Sequence, residues 1–155
     1  MAVDLTIICV VVLVARVLIN RIGERRELER HTITPEALYV LLASNRNVLV
    51  IDVRQPFDLL GNSEIIQGAV WFAPQQVIDD PSLLPGGRDL IVYCTCPSDE
   101  TSRAVLHQAL VMGFSRIKLL KGGLDSWRAR GYPVEPYAKP FRPDSSRNEH
   151  LAAAS

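Results

Sequence analysis

Residues 90–102 read LIVYCTCPSDETS, and this stretch decides how the chain folds. The apolar run Leu90 to Tyr93 ends in Cys94, small and polar residues follow, and a helical pattern opens at Ser102. A short apolar run bounded by turn-forming residues reads as a buried strand. In a parallel α/β sheet the layout sets a thiol at the carboxyl end of a strand, facing the amino end of the next helix. Ligands bind at that edge of open α/β sheets. Free N–H groups and positive potential at a helix start favour a thiolate and hold anions. The stretch therefore points to a nucleophilic cysteine on an α/β scaffold.

Working outward, the same alternation of strand and helix recurs. Thr34-Pro35-Glu36 has the signature of a helix start, with a cap, a proline in the first turn and an acid behind it, and Ala37 to Ala43 completes the helix. Asn47 to Asp52 (NVLVID) reads as a buried strand, and residues 53–67 as a loop with one helical turn at Phe57 to Leu60. Ala69 to Phe72 reads as a short strand, and Asp79 to Arg88, with two prolines and two glycines, as a connector. Beyond the deciding stretch, Val105, Leu106, Ala109 and Leu110 form the apolar face of a helix that Gly113 stops. Arg116 to Leu120 (RIKLL) gives a further strand, and Gly123 to Arg130 a short helix closed by Gly131. Strands alternating with helices predict a central parallel sheet covered on both faces.

The bulk properties narrow the function. The chain has 155 residues, enough for one domain with a real core. Lys and Arg number 17, as do Asp and Glu, so no basic excess points to nucleic acid. Cys9, Cys94 and Cys96 form no disulfide framework and imply reduced thiols. At the amino end, Leu5 to Ala15 holds eleven residues with only Thr6 polar, and Val17 to Ile19 resumes after Arg16. Counted from Ala2 to Ile22, this reaches the ~20 residues of a membrane span, so residues 1–22 are expected to form a transmembrane anchor helix. A cleaved leader fits poorly, because Asp4 stands where basic residues belong. Arg16, Arg21, Arg25, Arg26 and Arg30 follow the run and none precedes it. The positive-inside rule then predicts a single-pass membrane protein with its carboxyl-terminal domain in the cytoplasm. Residues 23–32 read as a charged juxtamembrane stalk, 33–137 as the α/β domain, and 138–155, rich in Pro, Ser and charge, as a disordered tail.

In their order, several of these pieces resemble a rhodanese (sulfurtransferase) domain. They are IDVRQPFD at 51–58, QGAV at 67–70, IVYC at 91–94, the helix from Ser102, GF at 113–114, and LLKGGLDSW at 119–127 followed by GYPV. Each is weak alone; the order and spacing together are specific. The resemblance implies a three-layer fold with a central parallel sheet. It also implies an active cysteine that takes the outer sulfur of thiosulfate or a thiol persulfide, holds it as a persulfide, and gives it to a thiol acceptor. No cofactor or metal is implied. The amino-terminal apolar segment with a YC-x-CP loop also resembles the rhodanese module of some bacterial membrane proteins, which implies a membrane or membrane-protein partner.

Two thiols compete for the active position. Counted forward from the strand, Cys94 holds it, ten residues after Leu84; counted backward from the helix, Cys96 holds it, six before Ser102. The apolar run fixes the strand end more firmly than a loop length does, and Pro97 removes an N–H beside Cys96. These favour Cys94, with Cys96 as second candidate or as a relay thiol. Ser98, Thr101, Ser102 and Arg103 are the candidate cradle for the donor. The loop departs from the family pattern, because Pro97, Asp99 and Glu100 stand where Gly and Arg are usual. Two acids near the thiolate oppose anion binding and disfavour thiosulfate as donor. A second departure is Glu64 to Gln67, where the family usually has His-Ile-Pro.

By the same resemblance Asp52 and Arg54 brace the loop structure, with Asp58 as the expected mate of Arg54, and Gly122, Gly123 and Trp127 pack a turn and core. Cys94 and Cys96 offer two metal ligands where a structural site wants four. A non-catalytic rhodanese-like module that binds a partner at the membrane is the alternative function. A cysteine phosphatase needs an Arg closing its loop on the phosphate, and Glu100 and Ser102 stand at the sixth positions after Cys94 and Cys96.

Overall fold

A computed structural model of the chain describes residues 2–44, 47–95 and 99–138. The expected tail from residue 139 onward therefore lies outside the described residues, as do Cys96 and Ser98. The described residues divide into two compact units at the Thr32–Ile33 boundary.

The first unit is one helix, α1, over Ala2–Arg30, of 29 residues. Between Ile7 and Ile22 its large apolar side chains are exposed; Val12 is 49% and Ile19 66% exposed. The expected transmembrane helix is not found: among the described residues no helix is long and apolar enough to cross a membrane.

The second unit is α/β. Its elements are β1 (Thr32–Ile33), α2 (Pro35–Ala43), β2 (Val48–Asp52), α3 (Pro56–Gly61), β3 (Glu64–Ile66), β4 (Val70–Trp71), α4 (Pro74–Asp79), β5 (Asp89–Tyr93), α5 (Glu100–Val111), β6 (Ile117–Leu120), α6 (Gly123–Arg128) and β7 (Val134–Pro136). The main sheet runs β1-β6-β5-β2-β4, and β5 pairs in parallel with β2 and β6, as β2 does with β4. The Thr34 hydroxyl caps α2 by accepting the Ala37 N–H at 3.3 Å.

Side chains alternate across a strand, and here both faces are apolar. Val50, Ile91, Tyr93 and Leu120 join Leu38 of α2, Leu59 of α3, and Leu124 and Trp127 of α6 in one buried cluster. Ile51, Leu90, Val92 and Ile117 are equally buried, on the face where α5, packed against β5, β6 and α4, brings Val105, Leu106 and Ala109. Helices on both faces are what the sequence predicts.

Two regions differ from that reading. Residues 53–67 contain, beyond the expected helical turn, strand β3, which pairs antiparallel with β7 in a second two-stranded sheet. The segment before the connector forms α4. Both are short, and β3 is recruited by a partner 68 or more residues away through Ile66 and Val134, which no local pattern reveals.

Candidate active site

Strands β2 and β5 end level with one another, since Asp52 pairs with Tyr93 in the register. Cys94 is the next residue, buried, so the thiol stands at the carboxyl edge of the sheet centre. A surface hollow lined by Arg88, Leu90, Met112, Phe114 and Arg116 lies at the amino ends of β5 and β6, the edge opposite the thiol.

Leu124, Ser102 and Asp99 all contact Cys94. Its carbonyl accepts the Leu124 N–H at 3.2 Å. Its Sγ lies 3.4 Å from Ser102 Oγ and 4.0 Å from Asp99 Oδ1. Gly123 closes the turn beneath: with φ +53, a Cβ there would overlap the Cys94 carbonyl oxygen and stand 3.1 Å from its carbonyl carbon. Gly122, at φ +70, would meet the Ser126 Cβ at 2.7 Å in the same way. Of the GG pair, Gly123 is therefore the floor under the cysteine, and Gly122 packs the turn against Ser126.

Ser102, in the first turn of α5, is buried and donates its hydroxyl proton to the Asp99 carbonyl at 3.0 Å. A hydroxyl has one proton and two lone pairs. The Ser102 oxygen also lies within hydrogen-bond reach of the Cys94 sulfur, and a hydroxyl can turn to donate to a thiolate. Thr101 is half-buried beside it, and Arg103 is exposed on the same turn.

Asp99 precedes α5 in the left-handed region, φ 52 and ψ 24, and among the described residues it is the one non-glycine residue with positive φ. It makes no side-chain capping bond, although Asp commonly caps a helix. Its carboxylate instead faces the thiol. Burial raises its pKa, opposed by the charge of Arg103 and by the nearby Gly122 backbone.

Behind the site sits a buried brace. Arg54 Nη2 lies 2.6 Å from Asp52 Oδ2, both side chains fully buried. Its Nε also donates to the Asp52 carboxylate at 2.9 and 3.0 Å. Its Nη1 donates to the Asn62 carbonyl and its Nη2 to the Glu64 carbonyl, each at 2.8 Å. Burial opposes the Arg54 charge, but the hydrogen bond and charge of Asp52 outweigh it and raise the pKa. Tyr93 Oη donates to Asp52 at 2.9 Å and accepts the Ile66 N–H at 3.2 Å. Burial, then the Asp52 charge, holds the phenol far above its ordinary pKa. The expected pairing of Arg54 with Asp58 is corrected: Asp58 is exposed on α3 and acts on Arg54 only through its charge, because Asp52, two residues away, already shares its buried pocket. Trp127 is a core residue whose Nε1 donates to the Pro133 carbonyl at 2.9 Å.

Sequence reasoning missed one participant. Tyr93 read as one more apolar strand residue; its place directly before the cysteine, opposite Asp52, was the available signal. Asp99 read as one of two acids near the thiolate that oppose anion binding, and its aim at the thiol depends on a backbone φ that composition does not encode. Among the described residues no group of three or more His, Cys, Asp or Glu is arranged to hold a metal ion.

Comparison with known proteins agrees with this geometry. The rhodanese-like domain model matches residues 34–130. A sulfurtransferase from Allochromatium vinosum is 31% identical over 106 residues, which cover 66% of this chain and 92% of that protein. A solved structure from Anabaena sp. is 27% identical at TM-score 0.60, covering 79% of this chain and 94% of its own. A full-length protein from Lactobacillus plantarum superposes at TM-score 0.64 over 76% of this chain and 97% of its own, and at 20% identity it is a likeness of fold alone. The family match spans more than half of the chain and covers every strand of the main sheet from β2 to β6, and the chain belongs to the rhodanese-like domain family.

Proposed function

We propose that this chain is a sulfurtransferase that carries sulfane sulfur as a persulfide on Cys94. The observation that carries the reading is the Cys94 thiol at the end of β5, with the Ser102 hydroxyl 3.4 Å from its sulfur. The thiolate attacks the outer sulfur of a donor; the donor's S–S bond breaks, and its remainder leaves as sulfite or as a thiol. An acceptor thiol then attacks the sulfur held on Cys94, and Cys94 leaves as thiolate. The hydroxyl stabilises the sulfur anion at both stages, and the amino end of α5 adds its dipole. The sulfurtransferase from Allochromatium vinosum supports this class of activity.

Persulfide mapping by mass spectrometry tests it, with thiosulfate and a small-thiol persulfide supplied separately. Wild type and Cys96→Ser should gain one sulfur on Cys94, and Cys94→Ser should gain none. Sulfur on Cys96 in the Cys94→Ser protein would move the role to Cys96. No sulfur on either thiol would leave the non-catalytic binding module as the reading.

The same proposal anchors the chain at a membrane through α1, with the domain on the arginine-bearing, cytoplasmic side. Support comes from the outward-facing apolar side chains between Ile7 and Ile22 and from the five arginines that follow the apolar run. The full chain should float with lipid vesicles, and a chain lacking residues 1–22 should not. A full chain that stays in the soluble fraction overturns the anchoring.

A further inference from the structure

The Asp99 carboxylate faces the Cys94 sulfur at 4.0 Å, in a site where an anion-binding family would be expected to present positive charge. Its aim is fixed from two sides. The left-handed backbone turns the side chain away from the capping position of α5, and the Asp99 carbonyl takes the Ser102 hydroxyl and the Arg103 N–H, at 3.0 and 2.9 Å. Among the described residues, the titratable and charged groups acting on it are Arg103 on its own helix and Cys94 at the end of β5, and the turn between β6 and α6 brings the Gly122 backbone near it. A fixed carboxylate at this distance from a thiol can do two things. It accepts the thiol proton, and it repels a dianion approaching the same sulfur.

We propose that Asp99 is the proton-accepting and donor-selecting residue of this site, and that it fits the site to the protonated persulfide of a thiol rather than to thiosulfate. The proposal rests on Cys94 being the sulfur carrier. The step balances without an outside reagent. The Cys94 S–H gives its proton to the Asp99 carboxylate, and the thiolate attacks the outer sulfur of R–S–SH. The donor's S–S bond breaks, Cys94 keeps the S–SH group, and the RS⁻ that leaves takes the proton back from Asp99 as RSH. Thiosulfate needs no returned proton, because sulfite leaves as a stable anion, and it meets a like charge on entry. Burial, which raises the Asp99 pKa, suits a group that must both take and return a proton.

The experiment compares initial rates of Cys94 persulfidation in wild type, Asp99→Asn and Asp99→Gly, with thiosulfate and with a small-thiol persulfide. Asn and Gly both tolerate the left-handed backbone, so the fold is retained, and far-UV circular dichroism checks this. Positioned acid–base groups contribute about 10²- to 10⁴-fold. Both variants should therefore lose about a hundredfold or more in kcat with the persulfide, together with the acidic limb of its pH profile, while thiosulfate KM falls. A donor preference and pH profile unchanged in both variants, with wild type active, overturns the role of Asp99 and leaves the sulfurtransferase reading standing. Wild type inactive with both donors overturns both.

Discussion

Gly123 lies so close under the carbonyl of Cys94 that no side chain fits between them. The turn carrying it also supplies the Leu124 N–H that anchors that carbonyl. The thiol is therefore positioned by α6 as much as by β5. Gly123→Ala should displace the Cys94 backbone and abolish persulfide formation. The control is Gly131→Ala, which has φ +69 with open space around the Cβ. It carries only the left-handed penalty of about 1–2 kcal/mol and should keep its activity. Thermal melts and persulfide mapping on the two variants check this; equal activity in both would remove the positioning role of the turn.

The Arg54–Asp52 pair is completely buried, and each partner compensates the other. Removing one leaves an unpaired buried charge, which costs about 3–5 kcal/mol. Arg54→Ala should lose stability of that order in urea denaturation. Asp58→Ala should stay within about 0.5 kcal/mol of wild type, as surface changes do. A large loss in Asp58→Ala would restore the pairing that the sequence suggested.

How much of this was legible beforehand follows from the range of the forces involved. The strands NVLVID and LIVY, the capped start at Thr34 and the stop at Gly113 are local signals, and the structure repeats them within a residue or two. The cysteine at a strand end was legible for the same reason. The β3–β7 sheet was not, because its partners are distant in sequence, and neither was the choice of Asp52 over Asp58 by Arg54. Both carboxylates lie within four residues of the arginine, and only the inward turn of the chain at the end of β2 decides between them. The aim of Asp99 at the thiol was hidden in a single left-handed residue.

Tyr93 links the end of β5 to the brace through its hydroxyl, donating to Asp52 and accepting from Ile66. Tyr93→Phe leaves the Ile66 N–H and one Asp52 lone pair without that partner, a cost of about 1–3 kcal/mol. Stability should fall by that amount in chemical denaturation while persulfide still forms on Cys94. A variant as stable as wild type would show that the brace does not depend on the phenol.

Ser102→Ala tests the hydroxyl beside the sulfur. A hydrogen bond to a charged group is worth about 1.5–3 kcal/mol, which corresponds to a rate loss of roughly tenfold to a hundredfold. The single-turnover rate of persulfide formation should fall by that factor with either donor. Cysteine or threonine at this position returns a polar hydrogen, and Ser102→Thr should recover most of the rate if its methyl group is accommodated. An unchanged rate in Ser102→Ala would take the hydroxyl out of the chemistry.

Asp99 makes stability depend on pH with a definite sign. Its pKa is raised in the folded chain, chiefly by burial, so the folded state binds its proton more tightly than the unfolded state does. Such a group contributes most stability below its ordinary value of 3.8, and the contribution is lost as pH rises through the folded pKa. At pH 7 the ionised carboxylate therefore costs stability that an amide does not. Asp99→Asn should melt at a higher temperature than wild type at pH 7, and the gap should close as the pH approaches 3.8 and below. Melting curves across that range decide it: a gap that widens toward acid would mean that the ionised carboxylate, near the charge of Arg103, stabilises the fold instead.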